Sequence, residues 1–573
     1  MFNKNWQKLI IGIAFAILLA ACNSESGSKA MLISGRGIVA ENGMVTSAHP
    51  LASEVGAQIL AEGGNAYDAA IAVHFALAVV YPGAGNIGGG GFAVYRKADG
   101  EYGSLDFREK APKSATETMY QDDKGDVIPR LSSFGSLAVG VPGSVDGMMQ
   151  LYEKLGSLPF KKLVQPAIDL AENGFPLTEK EARKYNRSQE SILLANDSTT
   201  YYYNGGKWKT GDMVVLPELA EALKLIRDNG RDGFYTGETA KNLVEEMAKT
   251  GGIISQEDLD DYHSVWRTPV EGTFRDYKVI SMPPPSSGGV ALLQLLKGSE
   301  AYNFGEFGHN SAKSIHLMTE LERRVYADRA TYLGDPDFYD VPVKMSLDRN
   351  YLKGRFADIR MDAKTDSHDI KEGEVEVIES TETTHFSIVD KDHNAIAITT
   401  TLNGIFGSKV YVEKSGFFLN NEMDDFSAKT GVPNQFGLVG GEANAIAPEK
   451  RMLSSMTPTI LEKDGELFMV VGTPGGSTII TSVYQAVMNV TEFGMDIQEA
   501  INAKKTHHQW LPDLILYENK GLDSTVIQQL EQLGHTMQER GTLGQLNAVT
   551  VLSDGSLQGG SDPRADNTAV GVN

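Results

Sequence analysis

Glu382-Thr383-Thr384-His385-Phe386-Ser387 stands at a change in chain character. Before it, residues 371–382 are charged and poor in structural pattern; after it, Phe386 to Asp390 is strongly strand-like. Such a junction can be cut. A cut after Glu382 leaves Thr383 as a new amino terminus. A terminal threonine carries nucleophile and base on one residue: the hydroxyl attacks and the free α-amine accepts its proton. The ordinary pKa of an α-amine, about 8, is close enough to neutral for that work. Thr-Thr pairs are also common on plain strand surfaces, so the rest of the chain has to decide between the two readings.

Outward from the junction, His385 to Asp390 reads as one strand, Lys391 to Asn394 as a turn and Ala395 to Thr401 as a second strand, a hairpin signal. With Asp390 paired to Ala395, Thr384 lies opposite Thr401 and Thr383 sits beside it. A second hydroxyl then comes close to the first, although a one-residue slip would exchange the faces. Phe417 to Leu419 and Leu467 to Val471 read as further strands.

Upstream the pattern is helical. Leu51, Val55, Ile59 and Leu60 fall near helical spacing, and Gly63-Gly64 ends that helix. Ala66 to Val80 is nearly all apolar, which predicts a deeply buried helix. Ser311 to Tyr332 is a long helix candidate. The run Gly85-Asn86-Ile87-Gly88-Gly89-Gly90-Gly91 invites a phosphate-loop reading. No Lys-Ser/Thr follows it and a strand succeeds it, so close backbone packing fits better. A sheet-rich final third joined to a helix-rich remainder predicts a mixed α/β sandwich.

Length and charge set outer limits. The 573 residues suffice for two to four average domains or one large α/β unit. Fifty-two basic against 75 acidic residues give a net charge of -23, which opposes nonspecific binding to nucleic acid. An anionic substrate must therefore meet a local basic group. The one cysteine, Cys22, excludes an intramolecular disulfide and a Cys-based metal site. It follows two lysines, a short apolar run and Leu19-Ala20-Ala21, a secretory signal ending like a bacterial lipobox. The expectation is a signal segment over residues 1–22, lipid on Cys22, a tether from residue 23, and a place on the periplasmic or cell-surface side of a bacterial membrane.

Three further constellations carry chemistry. Gly472-Thr473-Pro474-Gly475-Gly476-Ser477 follows an apolar strand, and a Gly-Gly turn can aim successive backbone N–H groups at a developing oxyanion. Asn420-Asn421-Glu422-Met423-Asp424-Asp425 offers carboxylates to an ammonium. Leu453-Ser454-Ser455-Met456 and Leu105-Asp106-Phe107-Arg108-Glu109 offer hydroxyls and a guanidinium to a carboxylate. Each segment alone is more often structural. His507-His508 lacks the one-face spacing of a metal pair, and no Gly-x-Ser-x-Gly elbow is present.

In this order, the Thr383 segment, Thr401-Leu402-Asn403, the Glu422/Asp425 segment, Leu453-Ser454-Ser455-Met456-Thr457-Pro458-Thr459, Pro474-Gly475-Gly476 and the Arg108 segment resemble the γ-glutamyltranspeptidase family. The resemblance implies the four-layer αββα sandwich of N-terminal nucleophile hydrolases, formed jointly by two subunits. It implies a precursor that cuts itself between Glu382 and Thr383 into a large subunit (residues 23–382) and a small one (residues 383–573) that stay together. Thr383 then attacks a γ-glutamyl amide such as glutathione, with Thr401 orienting its hydroxyl and Gly475 and Gly476 holding the oxyanion. Arg108, Ser454 and Ser455 would hold the α-carboxylate, and Asn403, Glu422 and Asp425 the α-amine. The γ-glutamyl group passes to water or to an amino acid or peptide, with no cofactor and no metal.

Thr430 to Gly441 is similar to the family's lid, with Phe436 as the closing aromatic. The chain departs from bacterial members at Glu422 and Glu382, where glutamine is frequent, and at Gly404-Ile405, where a more polar pair is common. A cephalosporin-type acylase of the same fold is the alternative, but a glutaryl substrate has no α-amine for Glu422 and Asp425. A non-catalytic binding lipoprotein would have no use for a threonine at a cleavable junction.

Overall fold

A computed structural model describes residues 31–32, 37–196, 200–370 and 383–573. The signal segment, Cys22, most of the tether and Glu382 lie outside the described residues. Two antiparallel sheets face each other. The first has seven strands in the order Thr568–Val572, Gly43–Ser47, Thr383–Asp390, Ala395–Thr401, Gly90–Arg96, Tyr102–Phe107, Val265–Arg267. The second has eight: Met31–Leu32, Ile38–Ala40, Leu557–Ser561, Asn547–Val551, Glu466–Gly472, Thr459–Lys463, Tyr277–Ser281, Val270–Phe274.

Side-chain alternation explains the layering. On the Thr383 strand, Phe386 and Ile388 enter the core under the helices Pro50–Ala61 and Ala66–Val80. Val389 enters the core shared with Met469, Val471 and Val549 of the other sheet. The helices Gly288–Ser299 and Ile479–Thr491 cover that second sheet, which completes four layers, αββα. Ala66–Val80 is buried along its whole length. Asn65 and Asp68 exchange side-chain-to-backbone hydrogen bonds across its first turn. Among the described residues, no helix is long and apolar enough to cross a membrane.

The hairpin register differs from the expected one by one residue. Val389 pairs with Ala395, so Thr383 lies directly opposite Thr401, and Thr384 faces Thr400. The cause is the turn. His393 takes a φ of +63° and its N–H closes onto Asp390 O at 3.0 Å, which leaves a three-residue loop instead of four. The Asp390 carboxylate then accepts the N–H groups of Asp392 and Asn394 at 2.9 and 3.0 Å. The slip moves the two hydroxyls from diagonal to opposed positions.

Candidate active site

Thr383 begins its strand at the rim of the sandwich and is buried. Its Oγ1 lies 3.5 Å from Thr401 Oγ1. Thr401 Oγ1 accepts the Asn403 N–H at 2.6 Å, so its own proton is directed to Thr383 Oγ1 or to the Glu422 carboxylate. Asn403 folds back this way because its φ is +70°, and its Nδ2 donates to Asn421 O at 3.0 Å. Beneath them, Asn86 Nδ2 donates to Thr401 O at 2.9 Å. Gly89 packs so closely that a Cβ there would stand 2.1 Å from Thr401 O. The glycine run is thus a seat for the Thr401 strand end.

Around the two threonines lies a pocket of about 310 Å³, walled by Arg108, Arg329, Asn403, Glu422, Asp425, Phe436, Ser454, Ser455 and Gly476 among others. Arg108 is buried and reaches Glu422 Oε2 at 2.9 Å and Asp425 Oδ2 at 2.5 Å, with Glu109 Oε2 at 3.8 Å. Three carboxylates therefore crowd one guanidinium. Burial raises all three carboxyls and Arg108 only partly opposes it: Glu109 is pushed up to about 8, and Glu422 and Asp425 also move up. The three carboxyls outnumber the two guanidinium groups of the wall, Arg108 and the more distant Arg329, and a further cation entering the site would relieve that excess. Arg329, from the helix Ala312–Tyr332, donates to Ser287 Oγ at 2.9 Å and Ser455 Oγ at 3.2 Å.

The strand Glu466–Gly472 leads into the Gly475-Gly476 turn, whose φ values of +143° and +54° favour glycine, the first most strongly. Gly476 lines the pocket, while Gly475 sits one residue behind. A Cβ on Gly476 would meet the Phe436 ring at 2.6 Å, so the lid aromatic rests directly on this turn.

The residues expected around Thr383 thus share one pocket wall, apart from Gly475 and the undescribed Glu382. Arg329, Asn86 and Glu109 were not anticipated. Only Glu109, as the neighbour of Arg108, had a local signal; the other two are brought in by tertiary packing. His507 and His508 are buried in separate hydrogen bonds, to Thr481 and Gln509 and to Asp513. His316, Glu320 and His535 place ligand atoms within 4.8 Å of one another. Protein groups already occupy them: His316 Nδ1 and His535 Nε2 share a 2.7 Å hydrogen bond, and Glu320 binds Arg324 and Thr365.

The family model for Gamma-glutamyltranspeptidase matches residues 52–572. The chain is 45% identical over 528 residues to the glutathione hydrolase proenzyme of Escherichia coli (strain K12), covering 92% of this chain and 91% of that protein. It is 46% identical over 558 residues to the glutathione hydrolase proenzyme of Pseudomonas aeruginosa, covering 96% and 97%. The crystal structure of cephalosporin acylase from Bacillus halodurans superposes with a TM-score of 0.82 at 25% identity, covering 96% of this chain and 99% of that one. With fold, pocket and near end-to-end matches in agreement, the chain belongs to the γ-glutamyltranspeptidase family.

Proposed function

We propose that this chain is a self-maturing γ-glutamyl hydrolase and transferase in which Thr383 acts twice. The observation that carries the reading is the pocket, where the Thr383 hydroxyl shares one wall with a guanidinium flanked by carboxylates. That is a receptor for a zwitterion next to a nucleophile.

In the precursor, Thr383 Oγ1 attacks the Glu382 carbonyl carbon, and the peptide bond is exchanged for an ester. Water hydrolyses the ester, freeing the Glu382 carboxylate and the Thr383 amine. In the mature enzyme that amine accepts the hydroxyl proton as Oγ1 attacks the γ-amide carbonyl. The oxyanion faces the Gly475 and Gly476 backbone N–H groups. The proton passes to the leaving amine, and the γ-glutamyl ester is then opened by water or an acceptor amine. Thr401 orients the attacking oxygen.

The α-carboxylate is read by Arg108 together with Ser454 and Ser455, the latter steadied by Arg329. The α-ammonium is read by Glu422, Asp425 and Asn403. The curated relatives are named glutathione hydrolases, so glutathione is the first donor to assay. The acylase alternative is disfavoured at the ammonium site, since a glutaryl group brings no cation to Glu422 and Asp425, which would then rest on Arg108 alone. The lipobox supports export with an anchor on Cys22.

A denaturing gel tests the proposal. Wild-type protein should resolve into two bands matching residues 23–382 and 383–573, and Thr383→Ala should remain one inactive band. Full-length wild type after long incubation, or an active Thr383→Ala, overturns it.

A further inference from the structure

The lid's internal hydrogen bonds fix its shape but not its position. Asn434 Oδ1 accepts the N–H groups of Phe436 and Leu438 at 3.0 and 3.1 Å, and Asn434 N donates to Leu438 O at 3.1 Å. Position comes from contacts with the body. On the acidic side, Gln435 N donates to Asp424 Oδ2 at 3.0 Å and Asn434 Nδ2 to Asp425 Oδ1 at 3.1 Å. From a distant part of the chain, Gln509 Nε2 donates to Phe436 O at 3.3 Å and to Gly437 O at 3.2 Å. One amide group thus holds the backbone at the aromatic that rests on Gly476.

Gln509 is itself held from behind by His507. With both Nε2 hydrogens on the lid carbonyls, Oε1 accepts, and His507 Nε2 donates to it at 2.9 Å. His507 Nδ1 is then an acceptor for the Thr481 hydroxyl at 2.8 Å, for which Thr478 O, at 3.1 Å, also competes. Thr481 belongs to the helix Ile479–Thr491 that follows the Gly475-Gly476 turn. Gln485 of the same helix bonds both backbone groups of Thr506, at 3.0 and 2.7 Å. The lid tip is thereby tied to the helix that carries the oxyanion turn.

We propose that Gln509 is the positioning residue that latches the lid over Thr383 and so sets how the acyl-enzyme divides between water and an acceptor amine. The second half rests on the γ-glutamyl reading above; the first does not. A closed lid keeps bulk water from the ester until an amine enters. Releasing two hydrogen bonds should shift lid closure roughly tenfold toward open.

The test compares matured wild type with Gln509→Ala and with the isosteric Gln509→Glu, which turns an acceptor toward two carbonyls. Lys429, at the lid's base, is exposed and supplies a trypsin site. Both variants should be nicked there several-fold faster than wild type. Both should also show a several-fold lower ratio of transfer to hydrolysis with glutathione and a dipeptide acceptor. In a Phe436→Ala background, adding Gln509→Ala should leave the ratio where Phe436→Ala put it, because both act through the lid. If Gln509→Ala fails to mature, Gln509→Glu carries the test. Nicking at the wild-type rate overturns the latch whatever the reaction proves to be. Faster nicking with an unchanged ratio, or additive effects, overturns the partition role. A failure of the γ-glutamyl reading appears separately, as an active Thr383→Ala.

Discussion

Thr401 Oγ1 accepts the Asn403 N–H and lies 3.5 Å from Thr383 Oγ1, so its proton, which the Glu422 carboxylate can also accept, is placed to turn to Thr383 as that oxygen gains charge. A hydrogen bond to a reacting, partly charged oxygen is worth about 1.5–3 kcal/mol, or roughly 10- to 100-fold in rate. Thr401→Ala should therefore slow both self-cleavage and turnover by that factor, with Thr401→Ser restoring most of each. Band conversion over time and steady-state assays read the two separately. Glu109 makes a second prediction. Its folded carboxyl keeps a proton up to about pH 8, because burial outweighs the attraction of Arg108, whereas the unfolded chain ionises near 4.5. Between those values the unfolded state binds fewer protons, so this group's contribution to stability is full below about 4.5 and is lost as pH rises toward 8. Glu109→Gln should flatten the fall in melting temperature over that window. An unchanged slope would show that Glu109 ionises in the fold.

At the scale of the element, the central hairpin shows what a sequence can and cannot specify. Alternation located both strands, because Phe386, Ile388, Ile396 and Ile398 need one apolar layer. It could not fix the register, which depends on a left-handed His393 and on how many donors the Asp390 carboxylate gathers. Those are properties of the closed turn and leave no trace in hydrophobic period. The same holds for Arg329: its helix is legible, but the arrival of its last turn beside Ser455 is a matter of packing. Arg108, Glu422 and Asp425 were legible as a set through the family's motif order. Their pairing with one another was not. Asp390 also accepts Ala66 N–H at 3.0 Å, at the start of the buried helix. Asp390→Ala would orphan several donors in and beside the turn and should cost about 2–3 kcal/mol. Thermal unfolding would measure that loss, and slower self-cleavage would report a less firmly held Thr383 strand.

At the scale of the molecule, the strand order bears on what the proposed cut before Thr383 would do. In the seven-stranded sheet, Gly43–Ser47 lies between Thr568–Val572 and Thr383–Asp390, while Ala395–Thr401 pairs with Gly90–Arg96. In the eight-stranded sheet, Ile38–Ala40 pairs with Leu557–Ser561 at one side and Tyr277–Ser281 with Thr459–Lys463 at the other. Chain from before the junction therefore sits between two later strands in the seven-stranded sheet and flanks a block of four later strands on both sides in the eight-stranded one, and the two inner faces share one core. Pulling the products apart would break backbone ladders in both sheets and expose that core, a far larger loss than separating docked domains. The two products should co-elute as one species in native size exclusion, remain together at sub-denaturing urea, and unfold in one thermal transition. Residues 383–573 produced alone should not fold, since they lack Gly43–Ser47 between two of their strands in one sheet and the strands on both flanks of their block in the other. A stable, soluble 383–573 fragment, or dissociation ahead of unfolding, would contradict the interleaved architecture as the reason that the cut chain stays whole.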